Sequence, residues 1–358
     1  MKLFLSLSTF IRNRKRKMSL WVDKYRPSSI EKLSVHEDIS KKLQGLANSD
    51  ELPHLLFFGP SGAGKKTRVM ALLRAVYGPG VNRVKLEHRN IKVNSSKTVE
   101  ISTLGSNFHI ECNPSDAGNN DRFVVQEVIK EIASHGSLAN SLGGNVFTAT
   151  SAEAVGSSSV GEKEKSNNSA KSFKIVLLTE VDRLSKQAQA GLRRTMEKYS
   201  GSCRLVLLAT HPSKIIEPVR SRCLGVRIPA PSVEVVADVL METAEKERLQ
   251  CPRELAMKIA QHSERNMRKA LLMLEAARVQ SPTLQPDQVV ELPDWELFVC
   301  KLAREIMQTQ TPQQLLRARD MMYELITNCI PADVILVTLT RELLKVMAED
   351  DLKHEVMH

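Results

Sequence analysis

A short glycine-rich stretch, GPSGAGKKT, has the residue types and the spacing that suit phosphate binding. The pattern G-x-x-x-x-G-K-[ST] surrounds phosphates with backbone N–H groups and places its lysine at the β- and γ-phosphates. In this chain Lys66 stands at the position where the pattern has a hydroxyl. The alternative is a plain glycine turn, but a buried strand before the stretch and a helix after it favour ATP or ADP binding. The residues expected to contact the nucleotide are Gly59, Pro60, Ser61, Gly62, Ala63, Gly64, Lys65, Lys66 and Thr67.

A second stretch, VLLTEVD (176–182), has the form of a strand that ends in an acidic pair. In the usual pair an Asp holds Mg²⁺ and a Glu polarises the attacking water. Here Thr179 replaces the Asp and Glu180 is present, while Asp182 is expected to point elsewhere. Lys66 and Thr179 together remove both protein contributions to the metal, so we expect no protein-held metal site and Mg²⁺ bound weakly if at all. The sequence therefore predicts nucleotide binding without efficient hydrolysis, with Lys66 substituting in part for the missing charge.

The elements that must position these residues alternate between short apolar runs and helical patterns, which is typical of a parallel α/β sheet. We predict five core strands at 54–58, 107–112, 174–180, 204–210 and 225–229, with a hairpin at 91–102. Helices are predicted at 65–78, 121–133 and 185–199, the last capped by Ser185. Residues 137–171, rich in Ser, Gly and Asn, are expected to be a disordered insertion.

The composition changes after residue 230, and this change sets the expected domains. Residues 18–230 would form the nucleotide-binding domain, 231–285 a helical domain, and 293–358 a second helical domain after a linker. Three helices are predicted in the first helical domain, at 233–248, 252–262 and 266–279, and three amphipathic stretches in the second.

The net charge and the cysteine content indicate which kinds of protein this chain could be. The formal net charge is +10, but six basic residues and no acidic one lie in the first 17 positions, so the rest is only mildly basic. That balance suits contact with nucleic acid in one place. The run RNRKRK within residues 1–17 could be a nuclear localisation patch; we favour a disordered basic tail before a true start at Met18. The six dispersed cysteines favour reduced thiols inside the cell, and no apolar run approaches the roughly 18 residues of a membrane span.

The order of several motifs resembles that of the AAA+ clamp-loader small subunits of replication factor C. The motifs are LWVDKYRP (20–27), GPSGAGKKTR, NPSDAG, LTEVDRLS, LRRTMEKY, SRC and RKALLM. The resemblance implies an AAA+ P-loop core with a parallel five-stranded sheet, a helical lid and an all-α collar, here ending before the family's last helices. It also implies a nuclear hetero-pentamer that binds ATP and DNA and loads the sliding clamp PCNA at primer–template junctions in replication and repair.

The resemblance further implies roles for three residues around the nucleotide. Arg26, in KYRP, would contact the adenine, and Thr210 would sense the γ-phosphate where the family more often has Asn. Arg268, in NMRKA, matches the second sensor that brings the lid onto the nucleotide, its alternative being a solvated helix arginine.

The remaining implied roles concern neighbouring molecules. Arg222, in SRC, would act as an arginine finger in the next subunit's site, or would merely pair with a local carboxylate. Arg194 would lie at a subunit interface, or be solvated, and Arg122 and Lys130 would contact DNA phosphates.

Two other classes of function stay open at this point. The first is an autonomous AAA+ ATPase such as a remodeller or helicase, which Lys66 and Thr179 argue against and a turnover assay would test. The second is an assembly scaffold with a vestigial nucleotide site, which a negligible ATP affinity would favour. Origin recognition proteins share the core, but their C-terminal domain should have a helix-turn-helix pattern.

Overall fold

The computed structural model describes most of the chain, and the described residues fall into two compact units. These residues are 19–49, 51–94, 97–141, 173–281, 283–290, 292–347 and 350–357. The first unit ends at Pro286 and the second begins at Asp287. The predicted tail at 1–17 and most of the predicted insertion, from residue 142 to 171, lie outside the described residues.

A seven-stranded sheet forms the centre of the first unit, in the order β2-β3-β4-β5-β6-β1-β7. Strands β4, β5, β6, β1 and β7 are parallel, which confirms the five predicted core strands. The predicted sheet was nevertheless too small. The hairpin β2–β3 joins the same sheet, because β3 pairs antiparallel with β4 from Thr103 opposite Cys112. The strands are β1 Leu55–Phe58, β2 Lys85–Asn94, β3 Lys97–Gly105, β4 His109–Cys112, β5 Lys174–Leu178, β6 Cys203–Ala209 and β7 Leu224–Arg227.

Strand β1 shows why the central parallel strands β1, β5 and β6 are largely apolar. Leu56 packs into the apolar layer on one face of the sheet, whereas Leu55 and Phe57 pack into the layer on the other face. A parallel strand that is covered on both faces has no solvent-facing positions to mark its period. The helices of this core are α1 Trp21–Lys24, α2 Glu37–Asn48, α3 Lys65–Tyr77, α4 Asp121–Ser141, α5 Lys186–Lys198 and α6 Glu217–Arg220.

Two of these helices test predictions directly. The Ser185 hydroxyl accepts a hydrogen bond from the Ala188 N–H at 3.1 Å, which confirms the predicted cap of α5. Helix α4 continues to Ser141, so residues 137–141 are helical and the predicted start of the insertion was wrong. The apolar periodicity had indicated an end near residue 133 because small and polar residues follow it.

Three helices complete the first unit and confirm the predicted helical lid pattern. They are α7 Val233–Lys246, α8 Arg253–His262 and α9 Met267–Gln280. The side chain of Asn266 caps α9 by accepting from the N–H groups of Arg268 and Lys269, at 3.1 and 3.2 Å. This cap fixes the beginning of the helix that carries Arg268.

The second unit is helical in all its described elements. It contains α10 Asp294–Gln308, α11 Pro312–Thr327, α12 Ala332–Val346 and α13 Asp350–Met357. The sequence predicted three amphipathic stretches here, whereas four helices are described, because the third stretch is divided after Val346. Val299, Leu302 and Leu339 belong to the separate apolar core of this unit. None of the described helices is both long and apolar enough to cross a membrane.

Candidate functional site

A cleft of about 470 Å³ lies in the first unit, where β1, β5 and β6 end and the lid helices α7 and α9 approach them. Most residues predicted to bind nucleotide line this one cleft. They are Arg26, Ser61, Gly62, Ala63, Gly64, Lys65, Lys66, Thr67, Thr210 and Arg268, joined by Thr179 and Glu180.

The glycine-rich loop between β1 and α3 needs glycine at two positions. Gly59 has φ 148°, and a Cβ there would lie 1.9 Å from the Ile228 carbonyl oxygen. Gly62 has φ 74°, and a Cβ there would lie 1.8 Å from Oδ1 of Asn266. The loop therefore lies directly against both the end of β7 and the cap of the lid helix α9.

The ammonium of Lys65 is held inside the loop. Its Nζ donates to the carbonyl oxygens of Gly59 at 2.6 Å and Pro60 at 2.9 Å. Burial lowers the pKa of Lys65, the nearby Asp182 carboxylate opposes that shift, and Arg268 adds to it. Gly59 and Pro60 do not line the cleft themselves; they contact the Lys65 ammonium through their carbonyl oxygens.

Lys66 forms an ion pair that the sequence did not predict. Its Nζ lies 2.5 Å from Oε1 of Glu111, on β4. The Glu111 side chain is only 13% exposed and lines the cleft. The signal in the sequence is a carboxylate within the predicted strand NFHIEC.

The end of β5 places Thr179 and Glu180 differently from a catalytic acidic pair. The Thr179 hydroxyl donates to the Cys112 carbonyl oxygen at a long 3.5 Å. Glu180 has φ 52°, and its Oε2 lies 3.3 Å from Nη1 of Arg183, with the side chain about half exposed. Glu180 therefore lines the cleft while its carboxylate is engaged by a neighbour.

Asp182 was expected to point elsewhere, and this expectation was wrong. It lines the cleft, and its Oδ2 accepts from the backbone N–H groups of Thr210 and His211, both at 3.3 Å. The reason is a short 3₁₀ helix at Val181–Arg183, which turns the chain back towards the end of β6 immediately after β5. Asp182 thereby ties the backbone of Thr210 to the end of the neighbouring strand.

Comparison with known proteins identifies the family. The replication factor C subunit 3 of Homo sapiens is 47% identical over 339 residues, which cover 95% of this chain and 87% of the relative. The corresponding subunit 3 of Arabidopsis thaliana is 46% identical, over 95% of this chain and 89% of the relative. The chain belongs to the replication factor C subunit 3/5 family. Members of this family are AAA+ clamp-loader subunits of DNA replication, as the motif order predicted.

Three family models match successive parts of the chain. Residues 295–358 match the model of the replication factor C subunit 3 C-terminal domain, and residues 238–279 match the RCF1/5-like AAA+ ATPase lid domain. Residues 35–232 match the model of the DNA polymerase III delta subunit. Among solved structures, a variant of Thermotoga maritima RuvB is 15% identical with a TM-score of 0.53, over 90% of this chain and 91% of that one. That likeness supports the AAA+ P-loop fold with its lid and helical C-terminal domain.

The AAA+ fold implies a nucleotide bound with a metal ion, and the two positions that usually contribute protein ligands to that metal hold other residues here. Lys66 replaces the hydroxyl ligand and already pairs with Glu111. Thr179 replaces the carboxylate ligand.

Two arginines line the cleft of this replication factor C subunit. Arg26 lines it from the N-terminal segment, where its Nη2 lies 2.7 Å from Oδ1 of Asp23. Arg268 lines it from the first turn of α9. Both therefore stand where a ligand in the cleft would meet a guanidinium.

The other predicted residues lie outside the cleft. Arg222 binds Oε1 of Glu197 through Nη2 at 2.6 Å, and its Nη1 donates to the Pro218 carbonyl oxygen at 2.8 Å. The expected alternative, an ion pair between Arg222 and a local carboxylate, is thus present. This pair does not decide what Arg222 does. Exposed helix positions hold Arg194 on α5, and Arg122 and Lys130 on α4, where Lys130 lies 4.0 Å from Glu127.

Proposed function

We propose that this chain is a subunit of a hetero-pentameric replication factor C. The subunit itself would bind ATP or ADP and hydrolyse ATP weakly. In this role it would help to load PCNA at primer–template junctions in the nucleus. The family supports the clamp-loading role, and the Lys66–Glu111 pair, at the loop position of a usual metal ligand, supports weak hydrolysis.

The argument for weak hydrolysis is electrostatic. Phosphoryl transfer depends on metal ions that bridge the β- and γ-oxygens and neutralise the developing charge. Lys65 would supply fixed positive charge to bound phosphates, which favours retention of nucleotide. The Lys66–Glu111 pair adds no net charge and occupies the position that usually supplies a metal ligand. Glu180 is the remaining candidate for the water-polarising group, but its carboxylate lies beside Arg183.

The domain assignment follows the same reading. We assign residues 18–230 to the nucleotide-binding domain, 231–285 to the lid and 293–358 to the collar that joins subunits. Arg26 would then contact the adenine, and Thr210 would contact the γ-phosphate. Arg268 would pair with the negative charge of the phosphates.

We also propose that Arg222 acts in trans. It does not line this chain's own cleft, and about a third of its side chain is exposed. A guanidinium supplied by a neighbour can neutralise transition-state charge and contributes on the order of 10³–10⁵ in rate. Glu197 would hold Arg222 until the neighbouring nucleotide competes for it.

Contacts with other molecules complete the proposal. Arg194 would lie at the subunit interface, and Arg122 and Lys130 would meet phosphates of primer–template DNA. Such contacts position a protein on the duplex and carry no base sequence information.

Turnover by the purified chain tests the nucleotide-holding role. We expect ADP and ATP to bind while turnover stays near background, with Glu180→Gln changing little. A turnover rate typical of AAA+ enzymes that collapses in Glu180→Gln would support an autonomous ATPase. Negligible affinity for either nucleotide would support the scaffold alternative.

A further inference from the structure

The N-terminal strap, residues 19–27, depends on the lid for its structure. Helix α1 within it has four residues, too few to be stable alone. Trp21 is 5% exposed, and its backbone N–H donates to Oε2 of Glu275 on α9 at 3.1 Å. The guanidinium carbon of Arg278, also on α9, lies 5.3 Å from the Trp21 ring centroid.

The next two contacts of the strap are hydrogen bonds to a single carboxylate, that of Glu247. It follows the last residue of α7, and its Oε1 accepts from the Lys24 ammonium and from the Tyr25 hydroxyl, the latter at 2.5 Å. Its Oε2 lies 3.6 Å from Nη1 of Arg278. The Glu247 side chain is 14% exposed, whereas the Lys24 side chain is 48% exposed, so the pair is reached by water from the strap side.

The strap also lines the nucleotide cleft immediately after these anchors. Tyr25, Arg26 and Pro27 line it on one side, and Arg268 lines it from the helix that carries the strap's other anchor, Glu275. Glu247 is absent from the residues that line the cleft in the described part of the chain. It can therefore affect a bound nucleotide only through the groups it holds.

We propose that Glu247 is a positioning residue that locks the strap to the lid, so that the two close over the nucleotide as one body. Ordering the strap in the free protein removes that entropic cost from nucleotide binding. It also makes nucleotide release require the strap and the lid to open together. This inference rests on the proposed nucleotide site.

Release of a fluorescent ADP analogue from the full chain tests the inference. Glu247→Gln removes the charge while keeping the side chain's size. Lys24→Gln breaks the same pair from the exposed strap side, where loss of the fold is not expected. Glu245→Gln, an exposed carboxylate two residues earlier, is the matched control.

We expect Glu247→Gln and Lys24→Gln each to speed release roughly five- to twenty-fold, a range typical of coupling between separate groups. Backbone hydrogen exchange of residues 19–27 should rise in both, and Lys24→Arg should restore slow release. If Glu247 had only a structural role, Glu247→Gln would instead lower the melting temperature of the nucleotide-free protein. Lys24→Gln and Lys24→Arg would then release ADP at the same rate.

Lys65→Ala separates this inference from the function on which it rests. If Lys65→Ala binds ADP as tightly as the parent chain, the nucleotide site itself is misassigned. If Lys65→Ala weakens binding while Glu247→Gln and Lys24→Gln match the Glu245→Gln control in release and exchange, the strap–lid lock is wrong.

Discussion

The Nζ atom of Lys66 lies 2.5 Å from Oε1 of Glu111, joining the first turn of α3 to β4 beneath the phosphate loop. The ammonium is 37% exposed and the carboxylate 13%, so the pair is partly shielded from solvent. A cation with its own counter-charge thus occupies the loop position that usually supplies a metal ligand. Position 66 therefore supplies neither a hydroxyl ligand for a metal nor net positive charge, and nucleotide retention would depend on Lys65 and the backbone N–H groups of the loop.

Lys65→Ala should weaken ADP binding by roughly 1.5–3 kcal/mol, because a charge-assisted contact to phosphate is lost. The fold should survive, since the Lys65 ammonium faces the loop carbonyls and the cleft. Titration calorimetry gives the affinity, and the melting temperature checks the fold. Lys41→Ala, an exposed lysine on α2, is the control and should change neither.

Restoring the usual metal ligands should restore metal dependence. Lys66→Thr combined with Thr179→Asp returns a hydroxyl and a carboxylate to the two positions. Little is lost at position 179, because its present hydrogen bond to Cys112 is 3.5 Å long. We expect Mg²⁺-dependent ATP turnover to rise about tenfold or more in the assembled complex, equivalent to about 1.4 kcal/mol in the barrier.

Lys66→Met with Thr179→Asp is the control for that gain, because it removes the charge without supplying a hydroxyl. It should show no such rise. Equal turnover in the two double variants would mean that position 66 has no part in metal binding.

Arg222→Ala should leave this chain's own nucleotide affinity unchanged and slow ATP turnover of the reconstituted complex. Arg222→Lys should rescue poorly, because an ammonium cannot reproduce the planar fork that engages two phosphate oxygens. The comparison is Arg220→Ala, a nearby arginine paired with Glu217, which should spare turnover. Normal complex turnover with Arg222→Ala incorporated would reduce Arg222 to a local partner of Glu197.

Strands β1, β5 and β6 could be predicted from sequence because each is a short, largely apolar run in which nearly every residue is buried. The lid helices could be predicted because their apolar spacing is regular and Asn266 marks the start of α9. The phosphate loop could be located because few other residues can take the backbone conformations that its glycines adopt.

The groups that sequence reasoning missed owe their position to tertiary structure. Glu111 and Lys66 lie 45 residues apart in the sequence, on β4 and α3, and Asp182 turns into the cleft through a short 3₁₀ helix. Glu247 lies 223 residues from Lys24 along the chain. No local pattern in the sequence predicts pairs of this kind.

The binding of ADP in the presence of Mg²⁺ and in excess EDTA tests the central claim most directly. The measurement uses the purified full chain at matched ionic strength, with a competent AAA+ ATPase as a positive control. We predict dissociation constants that agree within about twofold, a difference of less than 0.5 kcal/mol. A loss of about tenfold or more in EDTA, recovered on adding Mg²⁺, would show that a metal holds the nucleotide here and would contradict the account.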